Sequence, residues 1–101
     1  KSICMAQKQI NVFSAELAKE CDLMIVVGGK NSSNTTELFN NLKTITKSIF
    51  LENIYDAKSV LDSEGIKLSK NIRIGLTAGA STMKSELEQL KTILEKMIEE
   101  V

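Results

Sequence analysis

Two short polar stretches carry residue types suited to holding an anion. Gly28-Gly29-Lys30-Asn31-Ser32-Ser33-Asn34 follows one apolar run, and Thr77-Ala78-Gly79-Ala80-Ser81-Thr82 follows another. Glycine lets a backbone turn sharply and approach a ligand closely, and hydroxyls and amides supply donors for the several oxygens of a phosphate-sized group. One Ser or Asn is enough to cap a helix. Ser32, Ser33 and Asn34 in succession exceed that need, and Ser81 offers a further hydroxyl in the second stretch. Taken singly, either stretch reads equally well as a capped loop. Neither is a G-x-x-x-x-G-K-[ST] phosphate loop or a G-x-G-x-x-G dinucleotide turn, so a nucleotide ligand has no support.

Composition bounds the remaining chemistry. The chain has no histidine, which excludes Ser-His, Cys-His and His-metal chemistry carried by these residues alone. Cys4 and Cys21 lack the pair spacing of a metal site, and on spacing alone each reads as an inert buried thiol. Thirteen basic and thirteen acidic residues cancel, giving no reason to expect nucleic acid or an anionic membrane as partner. The longest apolar run, Leu23 to Val27, is far shorter than the roughly 20 residues that span a bilayer, and KSICMAQ lacks a signal-peptide core. A cytoplasmic location is expected.

The elements that position these stretches follow from periodicity. Lys1 to Met5 reads as a short strand, and Gln9 to Glu20 as a helix with Ile10, Phe13, Leu17 and Cys21 on one face. Leu23 to Val27 is a continuous apolar run ending at two glycines, as in a parallel strand buried on both faces. Asn34 to Thr44 predicts a helix with Leu38, Leu42 and Ile45 inward, and Ser48 to Leu51 a third strand. Asp56 is placed to cap a short helix that Gly65 closes. Asn71 to Leu76 predicts a fourth strand. Ser81 to Val101 predicts a long helix with Met83, Leu87, Leu90, Leu94, Met97 and Val101 in one stripe, read as a helix on a sheet rather than a coiled coil.

With 43% hydrophobic residues, the chain can bury a core of ordinary size. Strand and helix alternation then predicts one α/β domain over residues 1–101. It is three-layered, a four-stranded parallel sheet flanked by helices, with right-handed crossovers. Such crossovers bring every turn that leaves a strand to one edge of the sheet, so the two polar stretches are expected side by side, with Cys4 and Gln7 following the first strand.

The words VVGGKNSSNTTEL and GLTAGASTM, with SIC-A upstream and FLENIYD between, resemble the C-terminal part of the 4-hydroxy-3-methylbut-2-enyl diphosphate reductase family, over nearly the whole chain. The resemblance implies three similar α/β lobes around a central [4Fe–4S] cluster, each lobe giving one thiolate, with this chain as the third lobe. It implies Cys4 as the cluster ligand and leaves Cys21 as a core thiol. It also implies that Ser32, Ser33, Asn34 and Ser81 hold the diphosphate of a small allylic substrate. Reductive removal of the substrate hydroxyl would give isopentenyl and dimethylallyl diphosphates, with electrons from an external donor such as ferredoxin or flavodoxin.

On the same resemblance, the histidines, the glutamate proton donor and the other two cluster cysteines belong to the other lobes. No catalytic residue is expected in this chain, and the isolated fragment is expected to be inactive and to bind no cluster, since one thiolate cannot hold a cubane. Gln7 and Ile10-Asn11 stand where the family usually has a Thr and an Arg-Gln pair, and Met83 replaces a Pro. A non-catalytic α/β anion-binding module derived from the family is the alternative that stays open.

Overall fold

The computed structural model describes residues 3–5, 11–29, 33–69, 71–78 and 84–100, with side chains there apart from those of residues 4, 5, 11–14, 34 and 84. Four strands, β1 (Ile3–Met5), β2 (Leu23–Val27), β3 (Ser48–Leu51) and β4 (Ile74–Ala78), alternate with helices α1 (Asn11–Lys19), α2 (Ser33–Lys43), α3 (Ala57–Ser63) and α4 (Lys84–Glu99). The strands form one parallel sheet in the order β1-β4-β2-β3. Every residue of β2 and β4 is buried, because helices cover both faces of these central strands.

The sheet separates two cores. On one face Ala18 of α1 and Leu38 and Leu42 of α2 pack against Met24 and Val26. On the other, Ala57 and Leu61 of α3 and Leu87, Leu90 and Leu94 of α4 pack against Leu23, Ile25, Ile74 and Leu76. From β1 to β3 the chain crosses the sheet with its helices on the first face, and it returns to β4 with its helix on the second. Reversing direction while changing face keeps one hand of crossover throughout, as expected for parallel connections.

Several expectations move by a few residues. The fourth strand runs Ile74–Ala78, not Asn71 to Leu76, because Thr77 is wholly buried within the sheet while Arg73 is exposed before it. The start of that strand is fixed by Asp22, which donates its N–H to the Arg73 carbonyl at 2.8 Å and accepts from the Arg73 N–H at 3.1 Å. Helix α2 begins and ends one residue before the expected span, and Ile45 lies beyond it, 36% exposed rather than on its inner face. Met83 and Val101 lie outside the described residues.

Asp56 makes no side-chain cap. The cap belongs instead to Asn53, whose side chain accepts from the Tyr55 N–H at 2.9 Å at the start of a 3-10 turn, Ile54–Asp56, that leads into α3. Gly65 does close α3, with φ of 72°. Its N–H donates to the Asp62 carbonyl at 3.1 Å and the Ile66 N–H to the Leu61 carbonyl at 2.9 Å, and Ile66 turns back onto the core holding Leu61. A side chain at Gly65 would meet nothing within 4 Å, so the cost of adding one is purely that of the left-handed backbone. Gly65→Ala is expected to destabilise the chain by about 1–2 kcal/mol, read as a lower denaturant midpoint at unchanged slope.

Candidate functional site

Val27 and Ala78, the last residues of β2 and β4, are partners in the sheet. From this shared end the chain diverges: β2 leads to α2 on one face, and β4 leads to α4 on the other. Open parallel sheets bind ligands at such a switch point, beyond the carboxyl ends of the strands. Gly28 continues directly from β2, and its N–H donates to the Leu51 carbonyl at 3.0 Å, so the ladder with β3 holds the chain up to the turn.

The turn ends in the amino terminus of α2, where first-turn N–H groups lack intrahelical acceptors and the helix dipole is positive. The first turn of α2 contains no acidic residue to compete for that end. By contrast, the first turn of α4 carries Glu86. The anion-favouring end at this edge is therefore that of α2.

Ser33 is the exposed first residue of α2, and Asn34 follows it in the first turn, so these two expected ligands stand together at the carboxyl edge. Ser32 and Ser81 lie outside the described residues, as do Gln7 and Ile10. For the second stretch, the described chain ends at Ala78, beside Val27. Cys4 lies within β1 rather than after it, because pairing with β4 continues through Met5 and Leu76. It is the register partner of Gly75, one position before the end of an edge strand that pairs on one side only. Cys21 lies before β2, half-buried against the core of Met24 and Ala18, and also adjoins Gly75. Its Sγ is 3.1 Å from where a Gly75 side chain would begin.

Sequence reasoning passed over Thr35. This third residue of α2 is 0% exposed, in line with buried Leu38 and Leu42. Its Cγ2 and Oγ1 lie 2.7 and 2.8 Å from the position a Gly28 Cβ would occupy. The available signal was a threonine in phase with an apolar stripe. The same edge holds a concavity of about 330 Å³ lined by Glu52, Asn53, Ile54, Tyr55, Glu86 and Gln89, where the Tyr55 hydroxyl donates to Gln89 Oε1 at 3.4 Å. A second concavity, of about 470 Å³, borders β3 on the outer side of the sheet, where Phe39 and Phe50 meet edge to face and Lys43 Nζ sits 5.1 Å above the Phe39 ring. It is remote from the shared end of β2 and β4. Among the described residues no three His, Cys, Asp or Glu side chains group as a metal site, and no helix is long and apolar enough to cross a membrane.

The profile of the LytB protein family matches residues 1–95. The chain belongs to that family. Among LytB relatives, the 4-hydroxy-3-methylbut-2-enyl diphosphate reductase of Clostridioides difficile is 41% identical over 96 residues, which are 95% of this chain and 32% of that protein. The reductase of the same description from Clostridium perfringens is 45% identical over 83 residues, 80% of this chain and 28% of that protein. A solved (E)-4-hydroxy-3-methyl-but-2-enyl diphosphate reductase, described as the terminal enzyme of the non-mevalonate pathway, superposes with a TM-score of 0.70 at 32% identity, covering 85% of this chain and 29% of that one. The Plasmodium falciparum reductase superposes with a TM-score of 0.68 at 27% identity, covering 88% and 26%. The chain thus spans about a third of the length of the LytB relatives it matches.

Proposed function

We propose that this chain is one α/β lobe, the diphosphate-binding and cluster-ligating third lobe, of a cytoplasmic three-lobed reductase that converts 4-hydroxy-3-methylbut-2-enyl diphosphate to isopentenyl and dimethylallyl diphosphates. The observation that carries the reading is the pairing of Val27 with Ala78, from which both polar stretches start at the switch point of the sheet. Ser33 then offers a hydroxyl beside the free N–H groups of α2, Asn34 follows it in the same turn, and Ser32 and Ser81 belong to the proposed set of donors to the diphosphate oxygens.

Cys4 suits one ligand of a [4Fe–4S] cluster: a thiolate is the soft donor such clusters take, and β1 is an edge strand with one side unpaired by this sheet. The remaining thiolates would come from the other two lobes. When bound, the cluster supplies electrons, taken from a donor such as ferredoxin or flavodoxin, for removal of the substrate hydroxyl. This chain's part is to bind the diphosphate end and orient it, and the isolated lobe is inactive.

The test is affinity in the full-length protein. A hydrogen bond to a charged oxygen is worth about 1.5–3 kcal/mol, so Ser33→Ala or Asn34→Ala is expected to weaken substrate binding about ten- to a hundredfold at unchanged iron content. An analogue lacking the diphosphate should bind wild type and variants alike, and poorly. Variants that hold the intact substrate as wild type does would reduce these residues to helix caps.

A further inference from the structure

We propose that Thr35 is a positioning residue for the diphosphate turn, acting through Gly28 and the first turn of α2; this rests on the proposed role of Ser33 and Asn34. The argument begins with burial. Residues 35, 38 and 42 share the inner face of α2, and all are buried. Packing alone would be served at position 35 by valine, which has the shape of threonine. The chain instead carries a hydroxyl at 0% exposure, and no described buried side-chain oxygen or nitrogen is left without a hydrogen-bond partner. A buried, satisfied hydroxyl fixes orientation as well as volume, because it must keep a particular geometry to avoid the cost of an unmade bond.

The contact with Gly28 says what is oriented. Both branches of the Thr35 side chain straddle the site where Gly28 would carry a Cβ, at 2.7 and 2.8 Å, closer than a real Cβ could be tolerated. Gly28 in turn is fixed to β3 through its 3.0 Å bond to Leu51. The turn is therefore gripped at its two ends by a single contact: the exit of β2 lies directly against the third residue of α2. This contact sets how far α2 begins from the sheet and how the helix is rotated about its axis. Ser33 and Asn34, two residues and one residue before Thr35, inherit that rotation, and with it the direction in which first-turn donors face. A shift of about 1 Å in such a constellation is enough to weaken it markedly.

The experiment uses full-length protein with its cluster, inorganic pyrophosphate as the binding probe, and the variants Thr35→Val, Thr35→Ser, Ser33→Ala and Asn34→Ala. Thr35→Val keeps the packing and removes the hydroxyl. It is expected to lose about tenfold in pyrophosphate affinity, and to raise KM for substrate far more than it lowers kcat, with melting temperature and cluster absorbance within error of wild type. Thr35→Ser, which keeps the hydroxyl, is expected to retain most of the affinity. The proposal is overturned if Thr35→Val binds pyrophosphate as wild type does while Ser33→Ala and Asn34→Ala lose affinity. It is equally overturned if Thr35→Val loses affinity only together with melting temperature, or if Thr35→Ser is no better than valine, since the residue then only stabilises. Normal binding by Ser33→Ala and Asn34→Ala would instead remove the diphosphate assignment itself, and with it the role of Thr35.

Discussion

Cys4→Ala in the full-length protein is expected to abolish the iron–sulfur cluster, and Cys21→Ala to leave it in place. The two thiols differ in where the fold puts them. Cys4 lies in the edge strand β1, which this sheet pairs on one side only, whereas Cys21 lies in the turn before β2 and packs with Met24 and Ala18, although both are level with Gly75. A cubane takes its ligands from protein thiolates, and removing one leaves an iron without its donor. Iron content and visible absorbance of anaerobically purified variants measure the difference. Equal loss in both variants, or an intact cluster in Cys4→Ala, would withdraw Cys4 as the ligand. Cys21→Ala should show its effect in stability alone, as a half-buried thiol removed from beside the core of Ala18 and Met24.

The largest effect on the fold is expected from Leu90→Ala. Leu90 is 0% exposed at the middle of the α4 stripe, between Leu87 and Leu94, in the core that also holds Ile25, Ile74 and Leu76. Truncating a fully buried leucine costs about 2–5 kcal/mol, against a total of about 5–15 kcal/mol for an ordinary domain. Urea titration of the 101-residue chain should show a clear fall in midpoint, about a third at the middle of these ranges, or no folded baseline at all. Glu88→Ala, on the exposed side of the same helix, should stay within about 0.5 kcal/mol of wild type. Comparable losses from the two substitutions would mean that α4 is not held by its apolar stripe.

How much was legible in the sequence depended on whether a residue announced its environment. Leu23–Val27 and Ser48–Leu51 were found at their observed bounds because apolar runs between polar turns leave little choice of limits. The fourth strand was placed three residues early because Thr77 looks like loop chemistry, and only its burial in the sheet marks it as strand. Asp56 looked like a cap, but the chain enters α3 through a 3-10 turn, and that geometry hands capping to Asn53. That the two polar stretches leave neighbouring strand ends was readable, because β-α alternation makes a parallel sheet, and Val27 and Ala78 are indeed paired. Thr35 was not, since its importance comes from contact with Gly28, and no spacing rule predicts which helix residue will face the end of a strand. The expected strand Lys1 to Met5 already contained Cys4, and pairing of Met5 with Leu76 keeps it inside β1 rather than in the turn that follows.

The strand order has a consequence for synthesis. β4 stands between β1 and β2, yet it is the last strand of the chain to be made. While the ribosome has made this segment only as far as residue 73, β1 has no neighbour in this sheet to pair with, and β2 can pair only with β3. The nascent chain therefore waits with two unpaired strand margins and an uncovered apolar face. Residues 74–78 must then insert between segments made long before, closing loops whose entropy is lost before the pairing repays it. This interval is when the polypeptide is most exposed to wrong pairing with another chain, and it is the point at which a chaperone would have most to protect.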